Sequence, residues 1–133
     1  MWSPDAPDTY NRRHGVFEFL TRAPQGTIRM KILHDLLALG IDVNQLVRVG
    51  WRPFRTSMLF ECASNGEADA VACLLEHGAD VDIKYGTEEF TALYNAAFCG
   101  NSKVVALLCE RGADVSALTA EGMSPLYAAS QNG

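Results

Sequence analysis

The 133-residue sequence predicts an all-α solenoid of stacked helix-turn-helix units. Three observations lead there. First, Gly78-Ala79-Asp80-Val81 returns 34 residues later as Gly112-Ala113-Asp114-Val115. Second, Leu59 and Leu93 keep the same step, as do Gly66 and Gly100, and Leu126 and Gly133 follow after 33. A pitch of about 33 residues is that of a helix-pair solenoid. Third, the best-formed unit, Phe90 to Leu118, reads as helix, tight turn, helix and a Gly-started extended segment. Its helices are too short to stand alone and need similar neighbours to bury their apolar faces.

Taken in order, residues 1–15 carry Pro4 and Pro7 among polar neighbours and read as a frayed leader. Tyr10 to Arg22 is expected as a first helix, with Val16, Phe17, Phe19 and Leu20 on its apolar side. Ala23-Pro24-Gln25-Gly26 ends it. Thr27 then caps a helix to about Leu39, whose stripe is Ile28, Ile32, Leu33, Leu36 and Leu37. In the best-formed unit, Ala92, Leu93, Ala96 and Ala97 give one helix a stripe of small residues. Gly100 breaks that helix, Asn101-Ser102 offer side-chain oxygens to cap the next, and Gly112 ends the greasier run of Val104, Val105, Leu107, Leu108 and Cys109.

At this level of detail the chain resembles the ankyrin repeat family. The family's T-P-L-H-x-A-A appears as Ser124-Pro125-Leu126-Tyr127-Ala128-Ala129-Ser130, as Thr91-Ala92-Leu93-Tyr94-Asn95-Ala96-Ala97 and as Ser57-Met58-Leu59-Phe60-Glu61-Cys62-Ala63. Its V-x-x-L-L-x-x-G-A-D-V-N appears as Val71 to Asp82 and Val105 to Ser116, and in degenerate form as Leu33 to Asn44. The resemblance implies a degenerate N-terminal capping repeat over 16–50, full repeats over 51–84 and 85–118, and a partial repeat over 119–133. The motif His is replaced by Phe60, Tyr94 and Tyr127, so an aromatic must pack, or use a hydroxyl, where the family's imidazole joins loops. The last repeat stops after its first helix, so apolar surface is expected to stand open there, and the chain reads as a piece of a longer protein.

Composition narrows the function. With 48% hydrophobic and 20% charged residues the chain is an ordinary globular one. It has no apolar run of the roughly 20 residues a membrane span needs, and MWSPDAPDTY has no secretory signal pattern. A cytoplasmic location follows, with the nucleus as the other compartment. Cys62, Cys73 and Cys109 sit at apolar motif positions and are expected buried, with Cys99 nearer the surface. No CxxC pair exists and His14, His34 and His77 are scattered, so neither metal nor cofactor is expected. No nucleophile stands with a His and an acid at a motif spacing, and no phosphate loop is present, so no catalysis is expected either. Residues 1–57 hold eight Lys/Arg against five Asp/Glu, whereas residues 58–133 hold three against eleven. That acidic excess disfavours nucleic acid and suits a charged protein partner.

The resemblance implies β-hairpin loops that project from the stack like fingers, and these carry the candidate site. Between Gly40 and Ser57 lie five residues more than between Gly112 and Ser124, and this long finger gathers Arg48, Trp51, Arg52, Phe54 and Arg55. Trp and Arg are enriched among binding hot spots. The alternative is that Trp51 and Phe54 fold back on the helices, with the arginines keeping the loop soluble. The second finger offers Tyr85, Glu88 and Glu89, and the first-helix face behind it offers Phe98, a large apolar residue at a normally polar place. The resemblance also makes Asn44 a candidate for asparagine hydroxylation, against the simpler reading of a hairpin-turn hydrogen bond. It implies a non-catalytic module that binds a protein partner and no small-molecule substrate. Rival readings are a substrate-recruiting or autoinhibitory array of a larger enzyme or ubiquitin ligase adaptor, with its active domain beyond Gly133, or a structural spacer.

Overall fold

A computed structural model describes residues 27–48, 50 and 52–131 of the chain. The expected leader, the helix over Tyr10 to Arg22, the Thr27 cap, the Ile28 side chain and Trp51 lie outside the described residues. Among the described residues six helices follow one another: α1 (Thr27–Ala38), α2 (Met58–Asn65), α3 (Ala68–Glu76), α4 (Ala92–Phe98), α5 (Ser102–Glu110) and α6 (Pro125–Gln131). They stack in two layers. The first helices of successive units, α2, α4 and α6, pack side by side, while the second helices α1, α3 and α5 form the other layer. Within a unit, α2 packs on α3 and α4 on α5.

The small residues expected on the first helices are what let them approach. Ala63, Ala92 and Ala96 are buried beside Leu59 and Leu93, and the second layer contributes Val71, Leu74, Val104 and Leu108 to the same core. Each buried Leu or Val contributes about 2 kcal/mol of transfer free energy. In α1, Leu33 and Leu37 are buried as expected, whereas Ile32 and Leu36 are only half-buried. Cys62 and Cys73 are buried and Cys99 is exposed, but Cys109 is exposed as well. Its repeat counterpart Leu75 is covered because α5 stacks on α3, whereas among the described residues no helix lies over α5 on the far side. Leu126 stands 80% exposed for the same reason, where Leu59 and Leu93 are covered.

Helix ends are satisfied partly within a unit and partly by the next one. The hydroxyls of Ser57, Thr91 and Ser124 accept from the backbone N–H of Phe60, Tyr94 and Tyr127 at 3.0–3.2 Å, which is N-capping. Asn101 does something different from the expected cap. No side-chain bond closes the N-terminus of α5. Instead the Asn101 amide nitrogen donates to the carbonyls of Ala63 (2.7 Å) and Ser64 (3.0 Å), the last turn of α2 one repeat earlier. Gly66 makes this reach feasible: it ends α2 at φ +74, and a Cβ there would stand 3.0 Å from the Asn101 side-chain oxygen.

The hairpins are joined the same way. The first pairs β1 (Val47–Arg48) with β2 (Arg55–Thr56), antiparallel, with Val47 opposite Thr56 and Arg48 opposite Arg55. The second is a single bridge between Tyr85 and Phe90, and the third is closed by Thr119 N–H donating to the Met123 carbonyl at 2.9 Å. Asn44 bonds within its own turn only through its backbone N–H, which donates to Asp42 Oδ1 at 2.9 Å. Its side-chain amide donates to the Gly78 carbonyl (3.2 Å) and accepts from Asp80 N–H (2.7 Å), while Asp82 accepts from Asp114 N–H (3.0 Å) and the Glu88 carbonyl from Ala120 N–H (2.8 Å).

Replacing Asn101 by Ala leaves two helix-terminal carbonyls without their donor and is expected to cost about 1–3 kcal/mol. Urea denaturation checks it, and an unchanged midpoint would mean that these inter-repeat bonds are replaced by water at no cost.

Candidate functional site

The long finger delivers two of its expected contact residues to the chain itself. Arg52 Nε donates to both carboxylate oxygens of Glu61 (3.3 and 3.0 Å), and its Nη2 donates to Ser64 Oγ (3.1 Å). Glu61 is 3% exposed and also accepts from the Thr56 hydroxyl at 2.7 Å. The guanidinium carbon sits 5.1 Å from the Phe60 ring centroid and 5.9 Å from that of Phe54, a cation–π arrangement. Phe54 meets Phe60 edge-on at 5.5 Å and Phe90 at 6.2 Å. Thus Phe54 and Arg52 fold back on the helices, while Arg48 and Arg55 stay exposed as a cross-strand pair.

In the second finger Tyr85 is displaced from its expected role at a contact surface. Its ring is 1% exposed, lies 4.5 Å from that of Phe60, and its hydroxyl bonds Ser57 Oγ at 2.6 Å. The cause is the aromatic at the motif's His position, which draws the next finger's ring down on itself. Burial pushes the Tyr85 hydroxyl up to about 12, opposed by the Ser57 bond and reinforced by Asp80 and Glu61. Glu88 and Glu89 remain exposed at the finger's end. Glu89 is held at φ +56, the left-handed region that the third finger fills with Gly122 at φ +81.

Along α4 the rings of Phe90, Tyr94 and Phe98 stack, at 5.4 Å and 20° and then at 6.5 Å and 13°. Tyr94 is buried and donates to Met123 Sδ at 3.8 Å, whereas Phe98 is 50% exposed. One repeat on, Tyr127 is 48% exposed. Burial raises the Tyr94 hydroxyl, and Tyr127 and Glu121 add to it, which places those two groups within electrostatic reach. A continuous run of rings therefore leads from Tyr85 and Phe60 through Phe54 to Phe98. The Phe90–Tyr94–Phe98 spacing of four residues was a signal for it in the sequence. The exposure of Tyr127 had none.

Two other features complete the picture. A groove of about 530 Å³ runs at the end of the stack, lined among others by Leu93, Val105, Cys109, Val115 and Leu126. The Cys73 thiol lies 3.6 Å from His34 Nδ1 and 4.0 Å from His77 Nδ1, and His77 Nδ1 donates to the Cys73 carbonyl at 2.8 Å. Burial, and then Glu76, raise that thiol. Among the described residues no three His, Cys, Asp or Glu side chains are placed to hold a metal ion. No helix among them is long and apolar enough to cross a membrane.

A family model described as ankyrin repeats, in three copies, matches residues 27–119, more than half of the chain. No curated protein matches it.

Removing Arg52 takes the paired cation from a buried carboxylate, which keeps the Thr56 hydroxyl bond. Arg52→Ala should cost about 2–4 kcal/mol, and Arg52→Lys should recover little of it because a single ammonium cannot reproduce the forked geometry; chemical denaturation measures both. Tyr85 gives a pH signature. Its folded form stays neutral to about 12 while the unfolded chain ionises near the ordinary 10, so its contribution is intact below pH 10. Roughly 2–3 kcal/mol is then lost between pH 10 and 12. Melting curves across that window should fall more steeply for the wild type than for Tyr85→Phe, with the raised Tyr94 leaving a residual slope in both.

Proposed function

The chain belongs to the ankyrin repeat family, and we propose that it is a non-catalytic module that binds a protein partner through its fingers and the adjoining face of its first helices. Proteins of this family are typically non-catalytic, and their repeats generally serve protein–protein interaction. The observation that carries the reading is the half-exposed Phe98 ring, stacked on Tyr94 rather than left as a loose side chain, with Tyr127 half-exposed one repeat on. Rigid, partly exposed aromatics are the anchors that dominate interface energetics. The fingers add exposed charge, basic at Arg48 and Arg55 in the first and acidic at Glu88 and Glu89 in the second. The reading involves no cofactor and no small-molecule substrate, and it places the partner in the cytoplasm or nucleus. The eleven acidic side chains beyond residue 57 act against a polyanionic ligand.

Affinity capture from cell lysate tests it, comparing wild type with Phe98→Ala/Tyr127→Ala after circular dichroism has shown both folded. Proteins retained by the wild type and reduced at least about tenfold with the variant are expected, a loss of about 1.4 kcal/mol or more. Equal capture by both, or no capture by either, would overturn the assignment of the surface.

A further inference from the structure

The first repeat holds an arginine of its own on the face assigned above to a partner. Arg52 lies over the ring of Phe60 and bonds Ser64, closing the space between the first finger and α2. Moving one repeat along, Phe60 becomes Tyr94 and Ser64 becomes Phe98, and the position of Arg52 falls on Gly86. The chain has no room for an arginine there. Gly86 sits at φ +71, and a Cβ on it would come within 3.0–3.1 Å of the Phe54 side chain. The aromatic surface of the second and third repeats is therefore left uncovered by any finger arginine, with Phe98 and Tyr127 half-exposed.

What replaces the covering arginine is a rim of opposite charge. Glu88 and Glu121 occupy equivalent places in the second and third fingers, one per repeat, and Glu89 follows Glu88; all three are exposed. The bond from Ala120 N–H to the Glu88 carbonyl holds the two finger ends side by side. Phe90, next to Glu89, stacks on Tyr94, which joins the rim to the aromatic surface.

We propose that the half-exposed Phe98 and Tyr127 rings, with the carboxylates of Glu88, Glu89 and Glu121 on the fingers of the same two repeats, receive an arginine side chain from an extended segment of the protein partner. The incoming guanidinium stacks on a ring as Arg52 does on Phe60, and its acid comes from the fingers, because the place of Glu61 is taken by Asn95 and then Ala128 in the later repeats. Arginine is favoured over lysine because its planar, weakly hydrated cation stacks on aromatic faces. This names the partner chemistry of the surface in the preceding section and rests on that reading.

Fluorescence anisotropy at low ionic strength tests it, with a fluorescein-labelled peptide Gly-Ser-Pro-Arg-Pro-Arg-Ser-Gly and its twin in which citrulline replaces both arginines. The wild type should bind the arginine peptide at least about tenfold more tightly than the citrulline one. Glu88→Gln/Glu89→Gln/Glu121→Gln should bring the two peptides close together, and Phe98→Ala/Tyr127→Ala should weaken the arginine peptide by a similar factor. Lys103→Ala, exposed on the second-helix layer at α5, should not weaken it. Equal binding of both peptides to the wild type, or binding of neither, would overturn the proposal. The lysate capture separates the two levels. Proteins lost with the aromatic variant but retained by the triple Gln variant would keep the protein-binding surface and remove the arginine. No captured protein would remove both.

Discussion

The helices of this chain are too short to satisfy their own ends. A helix leaves four N–H and four C=O groups without intrahelical partners, and α4 is seven residues long while α2 is eight. Nearly every backbone group in them is an end group. The fold is therefore governed by where those groups find partners, and much of the answer lies in the adjacent repeat. Asn101 serves the last turn of α2, Asn44 spans to Gly78 and Asp80, and Asp82 reaches Asp114. The apolar core has the same character, since Leu59 and Leu93 are covered only because the next first helix stacks on them. Stability in such a chain is a sum over interfaces between units.

That constraint explains why the first finger is spent inward. A loop five residues longer than its counterpart has more backbone to order, and a free basic loop would add little to an interface-stabilised stack. By placing Arg52 on Glu61, Ser64 and the Phe60 ring, the chain turns the finger into a further inter-element contact. Such a buried ion pair is a device for register more than for net stability, because two desolvated charges recover little beyond their own desolvation cost. Phe54 extends it across the repeat boundary by packing on Gly86 and Phe90, so the first two fingers are held as one surface.

The repeat period made the helix positions, the glycine stops and the buried Leu and Ala positions readable in the sequence, because each is set by local pattern and recurs. What was not readable depends on what the neighbouring repeat does. Asn101 has the composition of a cap, yet its donors are more valuable to carbonyls 37 and 38 residues earlier in the chain. Cys109 has the register of a buried position but lacks a covering helix, and Tyr85 looks like a finger-tip aromatic but is captured by Phe60. Of the candidate surface, Phe98 could be singled out because a large ring at a normally polar place violates the pattern. Its stacking on Tyr94, and the opening at Tyr127, depend on packing that a one-dimensional pattern does not encode.

Glu89 shows where the surface departs from what stability alone would choose. The third finger meets the same left-handed turn with Gly122, which adopts it without cost. A glutamate at φ +56 carries about 1 kcal/mol of backbone strain or more. The fold does not require this: the residue is exposed, and in the cross-repeat ladder it is the neighbouring Glu88 carbonyl that bonds Ala120. Nor does the core require Phe98, whose ring is half in solvent beside a repeat that functions with Ser64 in its place. An unfavourable acid and an uncovered ring, joined through Phe90 and Tyr94, are two costs to folding in one repeat. The proposed contact surface explains both costs, and stacking of the repeats alone explains neither.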